Sequence, residues 1–205
     1  MSVQIVPLSA EHVEGAVALQ RLCFPPPFPE ELLWKVEHLH RHHELFPDGQ
    51  FVAVLGSEVL ASASMARIAE ERWQAHASWD ETVGGPFMTH FDPEGSTLYG
   101  MDISVAPSAR GQGLGRRLYE ARFDALARLG CRRFGTACRV PDYASWAAST
   151  GGTVQDYVAA VARAEAIDRT LTPLLRVGLD LIAVLEEYMD DSESGNAAAL
   201  LERTP

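Results

Sequence analysis

The sequence predicts one mixed α/β domain over residues 1–205, with a central, mostly antiparallel sheet flanked by helices. Three observations carry this reading. Strand-length apolar runs alternate with stretches of helical apolar spacing. Short turns join pairs of strands near both ends of the chain. In the middle, an apolar strand passes through a glycine-rich turn into an amphipathic helix. The chain is 47% hydrophobic and 22% charged, a balance that supports one sizeable buried core.

Taken in order, "VQIVPL" reads as the first strand, and Ser9 is a capping residue ahead of Val13, Ala16, Val17 and Cys23, which keep helical spacing. "FPPPFPEE" breaks the chain. Pro29, with Glu30 and Glu31 behind it, then predicts a second helix over about 29–43. Within it "HLHRHH" sets His38 and His42 on one face; no neighbouring motif supplies further ligands, so a solvated face and no metal are expected. "QFVAVLG" and "EVLASASMARI", joined at Gly56-Ser57, predict an antiparallel hairpin. Residues 69–96 read as a long irregular segment whose Trp73, Trp79 and Phe87 either border a pocket or anchor the loop to the core.

"TLYGMDISV" predicts a strand with Met101, Ile103 and Val105 on one face. Leu114, Leu118, Ala121, Ala125 and Leu129 trace one side of the following helix, which Gly130 can end. "RRFGTAC" is another strand, followed by a helical insert at about 141–170 and by "LDLIAVLEEYM" and "AAALLER", two strands around an acidic turn.

The formal charge of −11 argues against a general nucleic-acid binder, since phosphate neutralisation needs a surplus of Lys and Arg. No apolar stretch approaches the ~20 residues of a membrane crossing. The first residues lack the pattern of a signal peptide, so a cytoplasmic protein with no membrane partner is expected. Cys23, Cys131 and Cys138 lack close pairs and read as reduced thiols. Arg110, Arg116, Arg117, Arg122, Arg128, Arg132 and Arg133 crowd one region, which predicts a local site for a small anion.

That region holds "RGQGLGRR". A turn entering a helix presents amides with no intrahelical partner, and glycines let an anion approach them closely. A P-loop would need Lys and Ser or Thr after its last glycine, where Arg116 and Arg117 stand. A dinucleotide-binding turn would need GxGxxG near the start of a parallel unit, not GxGxG in mid-chain. A ligand-free tight turn is the remaining alternative.

Arg110 to Gly115, "RGQGLG", within "VAPSARGQGLG", resembles the signature of the GNAT N-acetyltransferase superfamily. The resemblance implies a sheet splayed between its fourth and fifth strands and acetyl-CoA as co-substrate, with no metal. It implies that Ile103, Ser104 and Val105 meet the pantetheine arm through their backbone. Arg110, Gly111, Gln112, Gly113, Leu114, Gly115 and Arg116 would hold the pyrophosphate. The family often places an acid where Asp102 stands, which makes Asp102 the candidate general base, directly or through water, or else a hydrogen-bond partner of nearby backbone or of a loop arginine. Many relatives carry a Tyr at the place of Leu174, before Gly178-Leu179, and an Asn in the same helix, near Asp168. Tyr143, beside Trp146, is the candidate replacement acid, or else part of an aromatic packing group.

More narrowly, "TLYGMDISV", "RRFGTACRVPDY" and the insert before "VGLDL" resemble the acetyltransferase module found fused to nitrilase-type amidases. The implied function is acetyl transfer from acetyl-CoA to a primary amine of a small molecule or peptide. The alternative is a catalytically inactive acyl-CoA-binding regulatory module. The expected partners are acetyl-CoA and the amine acceptor, and a homodimer is compatible with the sequence.

Overall fold

The computed structural model describes residues 2–205. β1 (Gln4–Pro7) leads through a 3-10 turn at Ala10–His12 into α1 (Val13–Cys23). Ser9 closes that entry, its amide donating to His12 Nδ1 at 3.2 Å and its hydroxyl lying 2.9 Å from the same nitrogen. The second helix begins later than the sequence suggests. Glu30–Leu32 makes a single 3-10 turn, Leu33 is extended, and α2 occupies Val36–Leu45. Long-range contact explains the delay: the Trp34 amide donates to Gln20 Oε1 of α1, and the Lys35 amide to His38 Nδ1, so the chain is held extended until Lys35.

β2 (Gln50–Leu55) and β3 (Glu58–Ile68) form the expected hairpin, with Gly56 at φ +63° in the left-handed backbone that the turn requires. Residues 69–96 are less irregular than expected. They contain α3 (Glu70–Gln74) and α4 (Trp79–Val83), and each carries a buried tryptophan that anchors the segment. Trp79 packs on Trp34 at 6.0 Å between ring centroids, and Trp73 on Tyr99 at 6.4 Å.

The chain continues through β4 (Thr97–Val105), α5 (Leu114–Leu129) and β5 (Arg133–Arg139). Next come α6 (Tyr143–Thr150), α7 (Val154–Ala162), α8 (Leu171–Arg176), β6 (Asp180–Leu185) and β7 (Ala198–Arg203). The six residues of α8 place Leu174 on a helix before Gly178, as the family resemblance implies, although the segment is too short to give a periodic signal of its own. One seven-stranded sheet results, ordered β1-β2-β3-β4-β5-β7-β6, antiparallel throughout except for the parallel β4–β5 pair. Helices flank it, and apolar side chains of α1 and α5 share one cluster with Ala53, Ala61 and Ala63 of the sheet.

The parallel pair is incomplete. Thr97–Gly100 lie beside Arg133–Thr136; beyond Gly100, β4 pairs with β3 alone and β5 with β7 alone. At the parting point Thr136 Oγ1 donates to the Gly100 carbonyl at 3.0 Å. Gly100 fits only without a side chain, since a Cβ there would stand 2.8 Å from Phe134 Cζ. The next residue, Met101, is a β-bulge: Gly100 pairs with Met65 and Asp102 with Ser64, so β3 offers Met101 no partner. A bulge bends its strand and raises the twist, which carries β4 away from β5.

Close packing below this point is testable at Gly135, where an added Cβ would lie 2.2 Å from the buried Trp73 ring. Gly135→Ala is expected to cost about 1–3 kcal/mol by overpacking. Thermal melting followed by circular dichroism should show the midpoint falling by several degrees. An unchanged midpoint would contradict this packing.

Candidate active site

β4 leads through a single 3-10 turn at Pro107–Ala109 into the glycine turn. Gly111 and Gly113 sit at φ +75° and +78°, the left-handed region that glycine enters without a Cβ penalty. No atom lies within 4 Å of a Cβ built at either, so crowding inside the protein does not explain the glycines; the space above the turn is open to a ligand. Gly113 is the N-cap of α5 and offers no side chain to its first amides. The first cap bond there is Arg117 N–H to the Gly113 carbonyl at 3.1 Å, which leaves the amides of Leu114, Gly115 and Arg116 at the positive end of a 16-residue helix. Such a cradle fits a phosphate group.

Of the seven arginines expected to build a basic site, the fold leaves two at the turn. Arg110 is exposed and donates through Nε to the Val105 carbonyl at 3.2 Å; Arg116 is exposed beside Glu120 at 2.9 Å, a surface pair of little strength. Gln112 folds back on the Ser108 carbonyl. The others are committed elsewhere. Arg128 pairs with Asp48, Arg132 and Arg133 with Glu70, Arg117 donates to the Val3 carbonyl, and Arg122 is buried.

Asp102 follows the bulge and is recessed under α1. Gln20 Nε2 donates to one carboxylate oxygen at 3.3 Å and the Ser104 hydroxyl to the other at 3.2 Å. Burial pushes its pKa up, while the Gln20 bond and the Arg122 charge oppose that rise. Ile103 and Val105 are half-buried on the same free edge, and the Val105 carbonyl also accepts from Cys23 Sγ at 3.3 Å. A small cavity touches Asp102, Ser64, Gln50 and Trp34. Sequence reasoning missed Gln20, Cys23 and Trp34, whose spacing carries no motif.

The histidine pair is not a solvated face. His38 and His42 are both buried, with Trp34 edge-on to each. His42 Nε2 lies 2.7 Å from the Pro86 carbonyl, and its Nδ1 3.2 Å from Ser64 Oγ, which donates to Gln50 Oε1 at 2.6 Å. Burial lowers the His42 pKa to about 4. Among the described residues, no group of three His, Cys, Asp or Glu is arranged to hold a metal, and no helix is long and apolar enough to cross a membrane.

Tyr143 opens α6 and is half-buried, its ring 5.9 Å from that of Tyr157, which also packs on Trp146 at 5.3 Å. Asp168 is fully buried and saturated. Its carboxylate accepts from the amides of Thr170 and Leu171 at 2.8 Å and from the Tyr157 hydroxyl at 2.9 Å, tying α7 to the start of α8. Leu174 is buried in the core.

A sheet opened beside a glycine turn at a helix N-terminus defines an acyl-transferase fold of the GNAT type. Residues 13–149 match the model of the acetyltransferase (GNAT) family, and the chain belongs to that family. It is 32% identical to an uncharacterized N-acetyltransferase, YkwB, of Bacillus subtilis (strain 168), over 93% of this chain and 83% of that protein. It is also 32% identical to a probable hydrolase, YhcX, of the same organism, over 95% of this chain but 37% of that protein. In fold it is similar to the GphF GNAT-like decarboxylase, solved in complex with isobutyryl-CoA, with a TM-score of 0.83 at 24% identity over 98% of each chain.

His42 gives the region a pH signature. Its folded pKa lies below the ordinary value of 6.5, so the unfolded chain binds the proton first and stability falls as pH drops from 6.5 towards about 4. The slope from this group is at most ~1.4 kcal/mol per pH unit. Urea denaturation across that window should show His42→Gln with a shallower decline than the native protein; parallel curves would contradict the burial of a neutral imidazole.

Proposed function

We propose that this protein transfers an acetyl group from acetyl-CoA to a primary amine of a small molecule or peptide. The observation that carries the reading is the continuity of a free β4 edge, past Gly100, with the uncapped amides of α5. Ile103, Ser104 and Val105 offer main-chain groups to the pantetheine arm. Gly111, Gln112, Gly113, Leu114 and Gly115 offer amides to the pyrophosphate, and Arg110 and Arg116 add charge at the rim.

Transfer forms a bond between the amine nitrogen and the thioester carbon as the carbon–sulfur bond breaks. The nitrogen's proton passes to Asp102, directly or through one water, and the departing thiolate takes a proton from Tyr143 or water. Burial that raises the Asp102 pKa supports the base role, because a carboxylate with a higher pKa is the stronger base. A main-chain amide of the splayed strand suits the carbonyl oxygen. The charge of −11 supports an acceptor other than nucleic acid, and three free thiols are in keeping with a cytoplasmic location. The match to 37% of the probable hydrolase supports kinship with the modules joined to nitrilase-type amidases.

Leu174, apolar and buried, favours a second reading in which acyl-CoA is bound without turnover. Thiol release from acetyl-CoA across amino acids, polyamines, aminoglycosides and peptides separates the two. Release with one amine class supports transfer; binding with no release throughout supports the regulatory module.

Two variants test the site. Gly113→Val places a branched side chain where φ is +78° and is expected to weaken CoA binding at least about tenfold in calorimetry; undiminished affinity would remove the phosphate assignment. Asp102→Asn is expected to lower kcat by about 10²–10⁴ with CoA affinity unchanged. The native rate should rise with pH as Asp102 ionises and that limb should vanish in the variant, so a retained limb refutes the base role.

A further inference from the structure

Arg122 is among the largest fully buried side chains of the protein, 1% exposed, on the helix face it shares with Leu118, Ala125 and Leu126. A guanidinium out of water normally meets a carboxylate. Arg122 instead turns one terminal nitrogen onto two main-chain carbonyls, Ser64 of β3 at 3.0 Å and Asp102 of β4. Its Nε has no hydrogen-bond partner among the described residues, and the rings of Tyr119 and Phe134 stand 5.0 and 5.5 Å from its central carbon. Ser64 and Asp102 face each other across the β3–β4 ladder just past the bulge at Met101, where β4 has left β5.

The geometry points to Arg122 as a positioning residue, a clamp on the carbonyls of Ser64 and Asp102 that holds the β4 bulge and thereby sets the free edge and the seat of Asp102. The clause about Asp102 chemistry rests on the function proposed above; the clamp on β4 does not. The two N–H bonds of that one planar nitrogen reach carbonyls on adjacent strands, where an apolar side chain of equal size would leave both without this donor. The aromatic faces of Tyr119 and Phe134 supply the negative quadrupole that a desolvated cation lacks elsewhere.

The same cation biases Asp102. The groups facing this carboxylate are Gln20 and Cys23 of α1, Trp34 ahead of α2, Ser104 of β4, and Tyr119 and Arg122 of α5; Arg110 of the turn acts on Cys23. Arg122 is the buried cation of that set and favours the ionised carboxylate, so its loss makes Asp102 hold its proton to higher pH.

The full chain carrying Arg122→Met or Arg122→Lys tests the clamp by two readouts independent of turnover. One is the ¹³C carboxyl titration of Asp102, identified by its loss in Asp102→Asn; the other is CoA affinity by calorimetry. In Arg122→Met the Asp102 midpoint is expected to rise by about one pH unit or more and CoA affinity to fall about tenfold. Arg122→Lys keeps the charge but is shorter and lacks the fixed planar direction of the guanidinium N–H bonds, so the midpoint should stay near the native value while CoA affinity still falls, about threefold. A folded Arg122→Met protein with both quantities unchanged overturns the proposal. If that variant does not fold, Arg122→Lys decides: native CoA affinity overturns the clamp, and failure of the Lys variant to fold assigns Arg122 to stability alone and overturns it too. A retained pH–rate limb in Asp102→Asn would remove the base role yet leave the effect of Arg122 on CoA affinity standing.

Discussion

The parting of β4 from β5 past Gly100 is the constraint on which the rest of this structure depends. Sheets pair their backbone groups because an amide or carbonyl left unpaired away from water is costly. Here a central strand gives up its partner in mid-length, and the break is built from three local features: Thr136 on the Gly100 carbonyl, the room that only a glycine leaves under Phe134, and the extra residue at Met101. Past Val105 the strand leads through a 3-10 turn and the glycines to the uncapped start of α5, so the unpaired edge and the free helix amides are close in the chain. Membership of the GNAT family is what makes this opening the candidate place for the acyl donor proposed above.

Around the opening the core is polar by necessity. Asp102, Gln20 and the Trp34 amide connect β4 to α1 and the approach to α2, while Ser64, Gln50 and His42 connect β3 and β2 to α2. Hydrogen bonds in a low-dielectric interior are strong when complete and punishing when broken, so these contacts fix the position of α1 and α2 more narrowly than apolar packing alone would. Such rigidity suits the catalytic role proposed for Asp102, since reacting groups must be held to within a fraction of an ångström.

The far wall of the gap differs from the near one. Beyond β5, Arg139 is pinned by Asp191 and Glu193 while its guanidinium lies 4.9 Å from the ring of Phe28 in the proline-rich loop after α1. Asp168 is spent on capping α8 and Leu174 on the core, so both side chains on this side of the gap carry structure. Tyr143, half-buried, stands at the start of α6, four residues beyond the end of β5.

Much of this was legible in the amino-acid order because the signals are local. The strands, α1, α5, the hairpin at Gly56 and the turn at Gly111 and Gly113 follow from apolar spacing and backbone freedom, properties of a few consecutive residues. Even Arg122 left a trace, since helical spacing sets it on the face of Leu118 and Ala125, though its type argued for the surface. Only the tertiary structure decided the late start of α2, which hangs on Gln20, the burial of His38 and His42, and the fate of the arginines. Arg128 is neutralised by Asp48 and Arg133 by Glu70 and Glu202, partners remote in sequence. Charge pairing and burial depend on which distant groups the fold brings together, and no local pattern encodes that.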